Sequence, residues 1–273
     1  MLALRAQKNE VSHPLLTLTT DFGDASPYVA AMKGVILGVN PAARLIDLSH
    51  QIPPQDVRYA AYFLANSLPF FPSGTLHVVV VDPGVGSERA ILYGEVAGQR
   101  VLAPDNGCLS AIFAEAGPPI ALRHVRASRF WRPNVSPTFH GRDIFAPVAG
   151  HLSLGLNPAR LGPSVSRWLQ LEMPHPTLTT KGIEGEVVFV DPFGNLISNI
   201  PVDMVSQRPG VLRIGKRTVH KFAWVRSYAE AKPGELAALI SSNGKLEVAV
   251  VQGNAARRLG ARVGTSLSVG FAC

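Results

Sequence analysis

The sequence predicts an α/β fold: an N-terminal domain with a mostly parallel sheet between helices, followed by a small C-terminal β-barrel domain. Three observations carry this expectation. Over the first part of the chain, strand-length apolar runs alternate with segments of helical period, the order of a parallel sheet covered by helices. The run "TLHVVVVD" at 75–82 is apolar without alternation, as in a strand buried on both faces. Beyond residue 182 the pattern changes to short strands and tight turns, as in an all-β unit.

Taken in order, 15–20 is a β-branched run that ends at Asp21. The spacing of Met32, Val35, Ile36 and Val39 predicts a helix over 29–39, because these positions share one face. A second strand is expected at 45–48, and a second helix over 56–68 with Val57, Ala60, Ala61 and Leu64 inward. Residues 91–107, "ILYGEVAGQRVLAPDNG", read as a hairpin turning near Gly98. Helices are expected over 107–116 and 144–154. The stretch "MPHPTLTTKG" at 173–182 has two prolines and no apolar period, and reads as a linker. The expected domains are therefore 14–172 and 183–273. In the second, Ser242-Asn243-Gly244-Lys245 between two apolar runs signals a hairpin.

A chain of 273 residues suits two domains better than one. Hydrophobic residues make up 47% and charged residues 16%, a globular composition that excludes disorder. The formal net charge is +7, but basic residues are scattered, with Arg257-Arg258 and Lys216-Arg217 the densest pairs. A basic enzyme is expected, with no nucleic acid partner. Two distant cysteines, Cys108 and Cys273, argue against a disulfide framework or zinc knuckle. The start, "MLALRAQKNEVSHP", lacks a signal-peptide core, and no apolar run is long enough for a membrane span. A cytoplasmic protein without membrane contact is expected.

Four segments carry chemistry. Asp21-Phe22-Gly23 copies the metal-binding signature of protein kinases, but a kinase places HRDxxxxN before it. Here "HGRD" comes at 140–143 and carries an inserted glycine, so the kinase reading fails. What is left is a carboxylate at the C-terminal end of a first strand, where open α/β sheets bind ligands and where it can accept both hydroxyls of a ribose. In "VVVVDPGVGSER" at 78–89, Arg89 stands where a dinucleotide fingerprint needs its third glycine, so that fingerprint is broken. Asp82 and Arg89, seven residues apart across this loop, can still meet. In "SPTFHGRDIFAP" at 136–147, His140 stands beside Gly141, Arg142 and Asp143. In "DPFGNLISNI" at 191–200, Asp191, Phe193 and Asn195 alternate through a turn. An asparagine amide offers donors and an acceptor suited to a purine edge. Singly, each segment is also what a helix cap, a loop ion pair, a structural histidine or a turn would give. The histidines show no metal-ligand spacing, so no metal is expected.

In this order and spacing the segments resemble the S-adenosyl-L-methionine (SAM) hydrolase (adenosine-forming) family. These enzymes are also called SAM hydroxide adenosyltransferases, and are relatives of the fluorinating and chlorinating enzymes that act on SAM. The resemblance runs from about Leu15 to Gly270. Besides the four segments it rests on "DLSHQIPPQDVR", "PDNG" and "SSNGKLEVAVVQGNAARRLG". It implies hydrolysis of SAM to adenosine and L-methionine without a cofactor. It also implies a homotrimer with SAM bound between the N-terminal domain of one subunit and the C-terminal domain of the next. Residue by residue, the ribose-binding aspartate matches Asp21, and the set that positions or activates water matches Asp82, Arg89 and His140. Asn106 falls in a family motif, and the adenine- and methionine-side contacts match Asp191, Phe193, Asn195, Ser242, Asn254 and Ala255. Family hydrolases often carry an acid where this chain has Ser26, so Asp191 is expected to supply the carboxylate for the methionine ammonium.

Arg89 stays protonated, which leaves His140 or Asp82 as the base, and the sequence does not choose between them. In the halogenating relatives the counterpart of His140-Gly141 is Tyr-Ser and that of Asp82 is not acidic, because a carboxylate repels halide. The fluorinating enzymes also insert a loop where this chain has its short 93–101 hairpin. Hydrolysis is therefore expected over halogenation or over SAM or adenosine binding without turnover.

Overall fold

The computed structural model describes residues 14–205 and 208–271, so Cys273 lies outside the described residues. The chain divides into two compact units between Leu171 and Glu172.

The first unit is built on a six-stranded sheet. Its strands are β1 (Leu15–Thr20), β2 (Arg44–Ser49), β3 (Leu76–Val80), β4 (Ile91–Val96), β5 (Gln99–Pro104) and β6 (Ala121–His124). Its α-helices are α1 (Tyr28–Val39), α2 (Val57–Ser67), α3 (Ser110–Ala116) and α4 (Ala146–Ser153). The strand order is β2-β1-β3-β5-β4-β6. The pairings of β1 with β2, β1 with β3 and β3 with β5 are parallel. β4 runs antiparallel to both β5 and β6, as its hairpin demands. Ala97 and Gly98 turn that hairpin with φ of 48° and 77°, the pair of positive angles that matches strand twist in a tight turn.

Every residue of β3 is buried, His77 included, as expected of a strand covered on both faces. Met32 and Ile36 of α1 are fully buried, and the same core holds Phe145, Val148 and Ala149; Val35 packs against it from a half-buried position. Burial of each large apolar side chain contributes about 1.5–3 kcal/mol. α2 begins at Asp56, whose side chain accepts from the Tyr59 amide at 2.9 Å, a standard N-cap. Two expected helices differ at their starts. α3 begins at Ser110, because Asn106 and Gly107 are occupied in a turn. The last helix is preceded by a π-helical turn, Gly141–Phe145.

The second unit contains β7 (Thr177–Thr179), β8 (Gly182–Val190), β9 (Leu196–Pro201), β10 (Pro209–Ile214), β11 (Arg217–Val219), β12 (Ala223–Trp224), β13 (Leu236–Ile240), β14 (Lys245–Val250), the short α5 (Ala255–Leu259) and β15 (Ser266–Phe271). They form one curled, half-barrel sheet in the order β11-β10-β15-β8-β9-β14-β13-β12, with β7 pairing β8. Among the described residues no pairing joins β11 to β12, so the sheet stays open. β7 falls inside the stretch 173–182 that reads as a linker in the sequence, and its pairing with β8 gives that stretch structure. Among the described residues no helix is long and apolar enough to cross a membrane.

A polar chain crosses the first sheet. Thr17 Oγ1 lies 2.7 Å from His77 Nδ1, and His77 Nε2 lies 3.2 Å from Gln99 Oε1. Burial holds the His77 pKa at about 4, below its ordinary 6.5. Between those values the unfolded chain binds a proton that the folded chain refuses, so stability falls as pH falls. Through this residue alone, unfolding free energy should drop by roughly 2 kcal/mol between pH 7 and pH 5. A His77→Gln variant should lose that slope in denaturant titrations, and an unchanged slope would exclude His77 as its source.

Candidate active site

The parallel strands β1, β2, β3 and β5 end on one edge of the first sheet. β2 and β3 flank β1 on opposite sides, so the connections diverge between β1 and β3. Open α/β sheets bind ligands at such a switch point. Asp21 follows β1 and Asp82 follows β3, one on each side of it.

The loop after β3 is shaped by turns closed from Val85 N to Asp82 O and from Ser87 N to Gly84 O. Gly86, at φ +80°, presses on the segment before His140: a Cβ there would lie 2.5 Å from the Pro137 carbonyl oxygen. Only glycine allows both this angle and this approach. The contact sets Arg89 against His140. Arg89 Nε lies 2.9 Å from each Asp82 carboxylate oxygen, and Arg89 Nη2 also donates to Asp82 Oδ2. The same Nη2 lies 2.9 Å from His140 Nδ1, and the guanidinium sits 5.9 Å from the Phe145 ring centre. The Asp82 and Arg89 side chains are only 4% and 10% exposed, which strengthens their charge–charge interaction.

A guanidinium only donates. His140 Nδ1 must therefore accept from Arg89, which puts the proton of the neutral ring on Nε2. Burial, then the adjacent Arg89 charge, lowers the His140 pKa below its ordinary value, so the ring is neutral at neutral pH. The segment that carries His140 is anchored by Asp143, which is fully buried. Asp143 accepts from Arg142 Nε at 2.7 Å, Arg132 Nη1 at 2.9 Å and Ser136 N at 2.9 Å. The Arg142 hydrogen bond is the chief cause that holds its carboxyl at about 2.

Asp21 Oδ2 accepts from the Gln55 amide at 2.8 Å. Asn106, at the end of β5, donates from Nδ2 to Val81 O at 2.8 Å and accepts from Cys108 N. Its amide thus braces the backbone just before Asp82. Ser26 donates to Phe22 O.

In the second unit, Asp191 Oδ1 accepts from the amides of Phe193 and Asn195, and Asp191 Oδ2 accepts from Asn195 Nδ2 at 2.8 Å. This turn buries Asn195 and leaves Phe193 76% exposed. Both line a cavity of about 550 Å³ with Asp191, Tyr228 and Val250. Tyr228 donates to the buried Glu247, whose pKa burial raises. Asn254 caps α5 through Arg257 N at 2.7 Å and packs on Gly194, and Ala256 N donates to Gly194 O. Ala255 is fully buried. The structure thus gathers Asp191, Phe193, Asn195, Asn254 and Ala255 around one turn. Ser242 is not among them. It is exposed in the β13–β14 turn, at the opposite end of the β9–β14 pair from Asn195. Tertiary packing brings Phe145 against Arg89 and Tyr228 and Glu247 beside Asn195.

An Asp–Arg–His cluster at a parallel-sheet switch point defines the site of an α/β ligand-processing protein. Residues 16–162 match the SAM hydroxide adenosyltransferase N-terminal domain and residues 185–268 match the SAM hydroxide adenosyltransferase C-terminal domain. The chain belongs to this family. It is 37% identical to the (R)-S-adenosyl-L-methionine hydrolase of Salinispora tropica, over 94% of this chain and 97% of that one. The enzyme of the same name from Thermus thermophilus is 38% identical, over 90% and 95%. A crystal structure of an uncharacterized conserved protein from Thermotoga maritima superposes with a TM-score of 0.87 at 37% identity, covering 93% of this chain and 99% of that one. Fluorinases are more distant, as in Actinoplanes at 26% identity over 69% of this chain and 72% of that one.

The Gly86 contact can be tested directly. Gly86→Ala should push the 82–89 loop off Pro137 and separate Arg89 from His140. We expect turnover to fall about tenfold or more with a stability loss of about 1–3 kcal/mol. Wild-type turnover in Gly86→Ala would show that this approach does not set the cluster.

Proposed function

We propose that this chain hydrolyses S-adenosyl-L-methionine to adenosine and L-methionine by in-line attack of water at C5′ of the ribose. The observation that carries the reading is the Asp82–Arg89–His140 cluster at the switch point. The sulfonium is already an excellent leaving group, so the reaction needs a nucleophile held in line, at roughly 3 Å, and calls for no metal or cofactor. In this proposal Asp21 accepts the two ribose hydroxyls. Asn195 and Phe193 cover the adenine, and Asp191 meets the methionine ammonium in place of the acid that Ser26 lacks.

In this proposal each member of the cluster has its own role. His140 Nε2–H faces the water as a donor and orients its oxygen. Asp82 is then the proton acceptor. Arg89 pairs with Asp82, fixes the His140 tautomer and stabilises hydroxide character as it develops. Binding of SAM or adenosine without turnover would not need this arrangement, and a halide would be repelled by Asp82. The β4–β5 hairpin turns at Ala97-Gly98, without the insertion of fluorinating relatives. The proposed setting is the cytoplasm.

Turnover in heavy-oxygen water should place the label on adenosine, and its absence there would sink hydrolysis. Asp82→Ala and His140→Ala should each cut kcat about 100-fold or more while SAM affinity, read by calorimetry, falls much less. Protonating His140 would put a proton on Nδ1 against Arg89. Because its pKa is lowered, kcat should decline only below the ordinary histidine range. A decline starting above pH 6.5 would contradict the assigned tautomer.

The same reading includes a homotrimer in which the Asp21 half-site of one subunit and the Asn195 half-site of its neighbour enclose one SAM. It is supported by the exposure of Phe193 beside its cavity. Asp21→Ala and Asn195→Ala, each nearly inactive, should regain part of the activity when co-refolded, since some interfaces then carry both wild-type halves. An active monomer in light scattering, or no recovery in verified mixed trimers, would refute the shared site.

A further inference from the structure

Beside Asp21 lies a polar chain that the proposed chemistry leaves unused. Thr20 and His50 are 0% and 6% exposed, and Thr20 Oγ1 lies 2.9 Å from His50 Nδ1. Thr20 Oγ1 also accepts from Phe22 N at 3.3 Å, and the far side of the ring presents His50 Nε2. That atom lies 3.0 Å from Asp47 Oδ1. It meets no partner in hydrogen-bond geometry, so the Asp47 contact is electrostatic. Asp47 Oδ2 in turn takes Lys33 Nζ at 2.6 Å.

Burying an imidazole and a hydroxyl here costs more than apolar side chains would. The surrounding contacts indicate what the arrangement does. His50 O accepts from Gly23 N at 2.8 Å. Gln51 Nε2 donates to Asp24 Oδ2. Gln55, at φ +64°, aims its amide at Asp21 Oδ2; a non-glycine residue in that region carries about 1–3 kcal/mol of strain. The 50–55 loop thus grips the 20–24 turn before, at and after Asp21. Among the described residues Asp21 Oδ1 takes no hydrogen bond.

We infer that His50 is a positioning residue for Asp21. Its bond to Thr20 fixes the turn so that Asp21 Oδ1 faces the vicinal hydroxyls of a bound ribose, and Asp47 with Lys33 orients the ring from the other side. This rests on the proposed ribose-accepting role of Asp21. A histidine that only filled space would change stability and leave substrate affinity alone.

The experiment measures SAM turnover and, by calorimetry, adenosine binding in His50→Phe, His50→Asn and Thr20→Val, each alone and combined with Asp21→Asn. His50→Phe should raise KM and the adenosine dissociation constant about tenfold with kcat within about twofold. His50→Asn, whose Oδ1 can accept from Thr20, should recover most of the loss. On the Asp21→Asn background His50→Phe should add nothing, because its effect runs through Asp21. Additive losses, or a lower kcat at unchanged KM, would overturn the inference. Should His50→Phe fail to fold, Thr20→Val makes the same comparison from the other end of the bond. If wild type bound adenosine but did not turn over SAM, the hydrolytic reading would fall. Coupling of positions 50 and 21 in adenosine affinity would still support the inference, and its absence would overturn it.

Discussion

The guanidinium of Arg89 is the interaction on which the site depends. It donates to both oxygens of Asp82 and to the ring of His140, and it cannot accept or release a proton at physiological pH. Those two properties decide the chemistry around it. Asp82 is paired with Arg89 where its side chain is only 4% exposed, and an unpaired carboxylate there would cost several kcal/mol. His140 accepts from Arg89 at Nδ1, which leaves Nε2 as the protonated nitrogen of its neutral ring. The fold holds Arg89 from three directions: the Gly86 approach to Pro137, the Phe145 ring and the end of β3 before Asp82.

Around this centre the ends of the parallel strands are braced by hydrogen bonds between loops. Asn106 ties the end of β5 to Val81, and the 50–55 loop ties the turn after β1. Such ends carry backbone groups with no ladder partner, and burial makes each unmet group costly. Satisfying them and placing Asp21 and Asp82 are one task. The π-helical turn Gly141–Phe145 belongs to the same economy of contacts. Its wide turn lets Asp143 point inward to two arginines while His140 and Phe145 both reach Arg89. π-helical turns recur at functional sites.

The second unit solves a separate problem with one turn. Asp191 takes amides of its own loop, and this buries Asn195 and turns Phe193 outward. An apolar ring beside a cavity with an amide at its wall suits a flat, polar-edged ligand. The family relationship agrees with a ligand of that kind.

Local patterns determined much of this. Strand and helix positions from β1 to β5 follow from period and β-branched content, and β1, α1, β3, β4 and β5 share one core. Asp21, Asp82, Arg89 and His140 were legible because glycines and strand ends surround them in a fixed order. The remainder needed the tertiary structure. Ser242 and Asn195 fall in neighbouring motifs, yet antiparallel pairing of β9 with β14 sends them to opposite ends. An open curled sheet in place of a closed barrel depends on whether the distant strands β11 and β12 meet. The left-handed Gln55, the His140 tautomer and the Thr20–His50 bond have no local signal, since each is imposed by a partner far away in the chain. Sequence periodicity reports which face of an element is apolar. Which donor meets which acceptor is decided only when the faces pack.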